Sequence, residues 1–386
     1  MAITPDPKSK SSAGLLPAGL SDLMPEDASR ESAAIASILL SFSALGYQRV
    51  KPPLVEFEDT LLADGPGAAL AGNSFRVMDP QSGQMMAIRA DMTAQIARIA
   101  SSRLKHQPRP LRLAYSGDVL RVQPDPLNPE RQLTQVGAEM IGAHQISHDA
   151  ELAVAALAAL QDAGVDRLTI DLGAPRLLGA ITDAGEDLRQ AVSAKDQMLV
   201  QRHGGDAAEL LQTLLDMPMV SADKIDEKVA QCAQKMPPEA AAMLTELSAM
   251  ATLVREAMPD VMVTVDPLES RGFDYHHGVG FAIFSPGIRG ELGRGGRYRT
   301  RLDDAMGEDS TGVTLYLERI LRALKPAMAT APLYIPYDAG LAVLVAMMRQ
   351  GEACRFGSAD TQDPMAEAKA MGCSQILLNG QKAPVQ

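Results

Sequence analysis

The sequence predicts an α+β fold, and three observations carry that expectation. Residues 111 to 142, LRLAYSGDVLRVQPDPLNPERQLTQVGAEMIG, alternate apolar and polar residues on either side of a PDPLNP cluster that cannot sit inside a ladder, so they read as two strands joined by a loop. Residues 176 to 260 carry an almost continuous helical pattern, interrupted at Gly204-Gly205 and Pro237-Pro238, which reads as an inserted helical subdomain. Strands then resume with VMVTVDP and YHHGVGFAIFS.

Taken in order, residues 1 to 16 are a Pro/Ser/Lys-rich tail, expected to be disordered at least to Ser12, and a core runs from residue 17 to 325. Ser29 to Leu45 is an amphipathic helix with a Ser/Glu start, stopped by Gly46. YQRVKPPLVEF follows as a strand that ends in a proline pair. Phe75 to Met78 and Met85 to Arg89 form a hairpin around DPQSG, and Met92 to Arg103 is a helix. Ser147 to Ala163 is an Ala/Leu-rich helix and RLTIDLG a buried strand. Beyond YHHGVGFAIFS come a Gly-rich turn and a helix from about Val313 to Leu324. The segment 331–386 opens on apolar PLYIPYDAG and has a second strand at QILL, which suggests a small ordered α/β remnant. No internal repeat is evident.

At 386 residues the chain suffices for two or three domains. Lys plus Arg number 36 against 48 Asp plus Glu, a net charge of −12, which argues against broad electrostatic binding of nucleic acid. The N-terminus lacks an apolar leader and no run of 18 or more apolar residues occurs, so a cytoplasmic location with no membrane span is expected. Cys232, Cys354 and Cys373 are scattered and odd in number, which fits reduced structural thiols.

Residues able to do chemistry concentrate at four places. Asp91 and Thr93 stand where a strand leads into a helix; a carboxylate and a hydroxyl there can hold an ammonium group, and equally can cap the helix. On the 111–142 hairpin, side chains repeat every second residue, so Gln135, Gly137 and Glu139 share a face with Arg121 across from them. A basic group beside an amide and a carboxylate suits a small zwitterion; the bland alternative is ordinary solvent-facing strand residues. Residues 271 to 278, RGFDYHHG, contain a histidine pair, but adjacent strand residues point to opposite faces and no ligand cluster completes a site, so no metal is expected. The stretch GRGGRY at 293 to 298 permits close backbone approach to a ligand, or is simply a turn.

The order of these features is more specific than any one of them. Pro53 and Glu56, the R-x-D-x-T of residues 89 to 93, the hairpin arginine with Q-x-G-x-E, then R-G-x-D-Y, G-G-R-Y and L-E-R together resemble the catalytic core of histidyl-tRNA synthetase, a class II aminoacyl-tRNA synthetase. The likeness spans about residues 17 to 325. It implies an antiparallel sheet flanked by helices, a homodimer, and a helical insertion at 176–260. By this resemblance Asp91, Thr93, Gln135 and Glu139 match positions that hold the amino group and side chain of histidine. Arg121 and Arg271 match arginines that serve the carboxylate and the activated phosphate, Tyr275 and His276 match a tyrosine pair beside the imidazole, and Arg319 matches the arginine of the third class II motif.

The departures from that pattern are informative. Gln123 stands where the synthetases have the glutamate that positions adenine, His276 replaces a tyrosine, Asp91 is one methylene shorter than the usual glutamate, and Arg299 replaces an aspartate. Segment 331–386 is too short for the usual anticodon-binding domain, and its four Lys/Arg (Arg349, Arg355, Lys369, Lys382) against five Asp/Glu (Asp338, Glu352, Asp360, Asp363, Glu367) are wrong for gripping tRNA. This combination is similar to a paralogous family, the regulatory subunit of ATP phosphoribosyltransferase, which partners the short catalytic form of that enzyme at the first step of histidine biosynthesis. The resemblance implies no chemistry of its own, no cofactor and no tRNA, self-association as a dimer, a hetero-octamer of four regulatory with four catalytic subunits, and histidine as effector. The synthetase-like pocket and a subunit interface are both candidate places for that effector. The alternatives are an aminoacylating enzyme or a free-standing amino-acid ligase.

Overall fold

The computed structural model describes residues 15–63, 66–124, 129–219, 224–270, 276–300, 307–325 and 331–385. The tail up to residue 14, the turn residues 125–128 and the segment Arg271 to Tyr275, which holds two predicted site residues, lie outside them. Two units partition the chain, Met1–Lys325 and Pro326–Gln386.

In the first unit, helix α1 (Pro25–Ala44) starts ahead of its predicted Ser29. A proline with no N–H to satisfy suits a first turn, and Glu26 and Asp27 suit the positive end of the helix dipole. The predicted strand YQRVKPPLVEF divides at its prolines, which cannot donate to a ladder. β1 (Gln48–Arg49) joins the main sheet, whereas β2 (Val55–Phe57) forms a small sheet, order β2-β4-β3, with the hairpin β3 (Arg76–Met78) and β4 (Met85–Ile88). Between them lies α2 (Glu58–Leu61), and α3 (Thr93–Ser102) follows.

The main sheet adds β5 (Leu111–Leu120), β6 (Gln132–Ile141), β7 (Thr169–Gly173), β8 (Met262–Val265), β9 (His276–Phe284), β10 (Gly293–Arg299) and β11 (Asp309–Tyr316), in the order β1-β5-β6-β11-β10-β9-β7-β8. It is antiparallel from β5 through to β7 and parallel only where β1 and β8 close its edges. Helix α4 (Ile146–Asp162) follows β6, and helices from α5 (Leu177–Ile181) to α10 (Pro238–Ala257) separate β7 from β8.

Two sequence expectations are corrected here. Residues 293 to 298 are not a turn but nearly the whole of β10, and the helix expected from Val313 begins only at Leu317, as α11 (Leu317–Ala323), because Val313 to Tyr316 belong to β11. Each strand is paired on both sides. Ladder bonds from two neighbours and burial override glycine's weak strand preference and the helical look of VTLYLERIL.

Alternation along β6 assigns the two faces of the sheet. Val136, Ala138 and Met140 belong to the core cluster that also takes in Ile38 and Phe42 of α1, Leu152 of α4 and Leu247 of α10. Each large apolar side chain so buried contributes roughly 1.5–3 kcal/mol, which fixes that face toward the helices. On the other face Leu113, Tyr115, Val119 and Leu133 meet Met92, Ile96 and Ala100 of the α3 segment.

The second unit is a four-stranded sheet, order β13-β12-β14-β15, from β12 (Leu333–Ile335), β13 (Cys354–Phe356), β14 (Gln375–Leu378) and β15 (Gln381–Pro384). Helices α12 (Leu341–Arg349) and α13 (Pro364–Ala370) cover its two faces. The apolar stretches noted in the sequence are β12 and β14. All three cysteines are free thiols.

Candidate amino-acid site

Strand register builds the floor of the site. Tyr115, Gly137, Thr314, Arg294 and Ala282 stand at one level across five strands, and Leu113, Glu139, Gly312, Gly296 and Gly280 at the next. Beyond Glu139 the second row is glycine on three successive strands, so a trough opens beside its carboxylate. A Cβ at Gly312 would collide with that carboxylate, and one at Gly137 with the Tyr115 ring.

Glu139 is fully buried and receives three hydroxyl donors. Thr93 Oγ1 (3.0 Å) and Tyr115 Oη (3.2 Å) donate to Oε1, and Tyr298 Oη (3.0 Å) donates to Oε2. Four residues back along β6 on the same face, buried Gln135 donates from Nε2 to Asp91 Oδ2 (2.7 Å) and accepts from the Met92 N–H (3.1 Å). Asp91 Oδ1 accepts from the Thr93 N–H at 2.8 Å. Strand β6 thus grips the 91–93 segment at two points, and the buried polar groups are paired as such groups must be.

Asp91, Thr93, His276, Arg294, Tyr298 and Tyr316 bound a small hollow of about 310 Å³, open mouth included. Larger hollows of about 620 and 810 Å³ lie beside α10 and α5. Chemistry favours the smaller one, because it gathers the hydroxyls that surround the buried carboxylate.

Burial pushes the Glu139 carboxyl up to about 8; the Tyr298 and Thr93 hydroxyls pull against that and the Asp91 charge adds to it. The empty site therefore favours a proton on Glu139 near neutrality, and a cation placed beside it would favour the charged form. His276 is driven down to about 3 by burial and by the charges of Arg294, His277 and Arg176, so its imidazole is neutral. Its ring lies edge-on to Tyr298, centroids 6.5 Å apart.

Of the sequence-predicted residues, the fold brings Asp91, Thr93, Gln135, Glu139 and His276 together. The N-cap position of α3 is Met92, without a side-chain cap; Asp91 accepts from the Thr93 N–H just ahead of the helix, and the Thr93 hydroxyl turns to Glu139. Arg121 sits past the end of β5 with Nε donating to the Ala90 carbonyl at 3.3 Å; it braces the 91–93 segment and is absent from the cavity wall. Arg271 and Tyr275 are outside the described residues. His277 faces away from His276 and pairs with Asp309 Oδ1 at 3.3 Å. Among the described residues no group of three or more His, Cys, Asp or Glu side chains could hold a metal ion. Tyr115 and Thr314 are not singled out by the sequence reading, and Arg294 and Tyr298 enter it only as part of the glycine-rich stretch 293–298. The glycine of Q-x-G-x-E was the available signal, since it lets the tyrosine opposite lean across the strand.

Comparison with known proteins shows the family and the fold. The sequence model of the family described as histidyl-tRNA synthetase matches residues 19–320. An ATP phosphoribosyltransferase regulatory subunit of Paramagnetospirillum magneticum is 43% identical over 94% of this chain and 96% of that protein. One from Rhodospirillum centenum is 41% identical over 100% of this chain and 99% of its own length. The chain belongs to the ATP phosphoribosyltransferase regulatory subunit family. Among solved structures, one described as an ATP phosphoribosyltransferase regulatory subunit/histidyl-tRNA synthetase from Bacillus halodurans superposes with a TM-score of 0.79 at 22% identity, covering 95% of this chain and 98% of that one. Histidyl-tRNA synthetase from Nostoc gives 0.77 at 17% identity, covering 95% and 91%. These two show the shared class II synthetase-like fold.

In this member of the regulatory-subunit family, Gln123 is exposed where the synthetase pattern has a glutamate, and its backbone N–H donates to Asn73 Oδ1 at 2.7 Å. Arg319 is buried over the Tyr316 ring at 5.1 Å and donates from Nη1 to the Glu291 carbonyl at 3.0 Å. Glu291 in turn forks onto Arg294, accepting from Nε at 2.8 Å and from Nη2 at 2.6 Å.

Proposed function

We propose that this chain acts as the non-catalytic regulatory subunit of ATP phosphoribosyltransferase, docking on the short catalytic subunit in a hetero-octamer of four and four, and that histidine occupies the cavity beside Glu139 as its feedback effector. The observation that carries the reading is the buried Glu139, encircled by Thr93, Tyr115 and Tyr298 and next to the Gln135–Asp91 pair. Such an array favours a small cationic group brought by a ligand, and Gln123 carries no charge where the synthetase pattern has the glutamate that positions adenine. A pocket of this kind regulates an assembly only if the ligand binds one state of the complex more tightly than another, so histidine is required to discriminate between the active and inhibited octamers.

The test is reconstitution. The chain co-purified with a short-form catalytic subunit should raise phosphoribosyl transfer, and histidine should lower it. Glu139→Ala should remove the inhibition and leave the complex assembled; undiminished inhibition would move the effector to a subunit interface. Incubation with histidine, ATP and cognate tRNA should give no charging above background, and charging would overturn the regulatory reading.

A further inference from the structure

The geometry points to Arg294 as the residue that receives the carboxylate of the amino acid in this cavity, with Glu291 as the positioning residue that holds its guanidinium at the wall. The inference rests on the reading of the cavity as the histidine site.

A free amino acid brings a cation and an anion together. Glu139 and Asp91 supply the acidic pole for its ammonium group, so a basic pole must face them. Among the described residues on the cavity wall, Arg294 is the one that carries a positive charge, because His276 is held neutral by its burial. Of the two arginines that the sequence pattern favoured, Arg121 is turned to the Ala90 carbonyl and Arg271 lies outside the described residues, while Arg319 lies over Tyr316.

Register sets the span between the poles. Glu139 is on β6 and Arg294 is on β10, with β11 between them, and Arg294 is level with Thr314, the neighbour of Gly312 by two residues along β11. Two inter-strand spacings put the backbones roughly 9–10 Å apart, with the glycine trough between them. That gap suits a molecule of amino-acid length.

The Glu291 fork explains how an arginine can stand ready there. Bidentate contact through Nε and Nη2 fixes the plane of the guanidinium, and the two side chains are 24% and 14% exposed, so the pair is partly shielded from water. With Glu291 balancing its charge, Arg294 does not become an uncompensated buried cation when the cavity is empty.

Calorimetric titration of the full-length chain with L-histidine and with L-histidinol, whose hydroxymethyl group replaces the carboxylate, tests the assignment. The wild type should prefer histidine by at least about tenfold, the scale of one charge-assisted contact. Arg294→Met, which keeps the apolar stem, should abolish that preference by weakening histidine while leaving histidinol within about twofold. The retained histidinol binding also reports that the variant is folded. Glu291→Gln should lower histidine affinity by less than Arg294→Met and leave histidinol unchanged. An Arg294→Met chain that binds histidine like the wild type, or that weakens both ligands equally, overturns the assignment and leaves the pocket reading standing. A wild-type chain that binds neither ligand overturns the pocket reading, and this inference with it.

Discussion

Glu139 concentrates the physics of the site in one side chain. Its carboxyl titrates at 4.5 in the unfolded reference and at about 8 when folded, so between those values the unfolded chain has released a proton that the native chain keeps. With fewer protons on the unfolded state, stability falls as pH rises through that window, by at most about 1.4 kcal/mol per pH unit, and levels off above it. Wild type should therefore lose melting temperature relative to Glu139→Gln as pH is raised from about 5 to about 8, as followed by scanning calorimetry. A gap between the two that does not change with pH would refute burial as the source of the shift. Gly312→Ala is the complementary steric test. The added methyl would strike the Glu139 carboxylate, so a cost of about 1–3 kcal/mol in urea unfolding is expected, together with loss of histidine binding in calorimetry.

Strand β10 works on both of its faces. Arg294 and Tyr298 serve the cavity, while Arg297 points to the helices, where its Nε donates to Asp149 Oδ2 on α4 at 3.0 Å and its Nη1 to Glu246 Oε2 on α10 at 3.2 Å. Thr311 of β11 donates to the other oxygen of Asp149. Burial raises the Asp149 carboxyl and the Arg297 charge opposes that rise. Arg297→Met, which strands a buried carboxylate, should cost about 3–5 kcal/mol, and adding Asp149→Leu should recover much of the loss in a double-mutant cycle of denaturant unfolding. Strict additivity would show that the pair is uncoupled. The same strand shows where local reading of the sequence stops. Its glycines speak for a turn, and only pairing with β9 and β11 makes them a ladder. By contrast α4, the β3-β4 hairpin and the β5-β6 pair are legible, because a periodicity of 3.6 or 2 along a continuous stretch needs no distant partner.

For the molecule as a whole, the residues that bound the cavity all belong to the unit ending at Lys325. A chain truncated after Lys325 should keep histidine affinity within about threefold of full length in calorimetry. A larger loss would make the segment from Pro326 onward part of the binding function. Among the described residues no helix is long and apolar enough to cross a membrane.

Alternation along β6 is a local property of extended backbone, so the facing of Gln135 and Glu139 away from Val136, Ala138 and Met140 is already written in the order of residues. So is the kind of chemistry, a carboxylate and an amide close to a segment bearing Asp91 and Thr93. The register that sets Gly312 and Gly296 beside Glu139 is not local, nor is the convergence of Tyr115 and Tyr298 on one carboxylate. Nor is the exchange of Arg121 for Arg294 on the cavity wall. Those relations join strands far apart in the chain, and they arise only when the whole sheet pairs and its helix-side core closes, because burial of one face leaves the other a single register in which to place its polar groups.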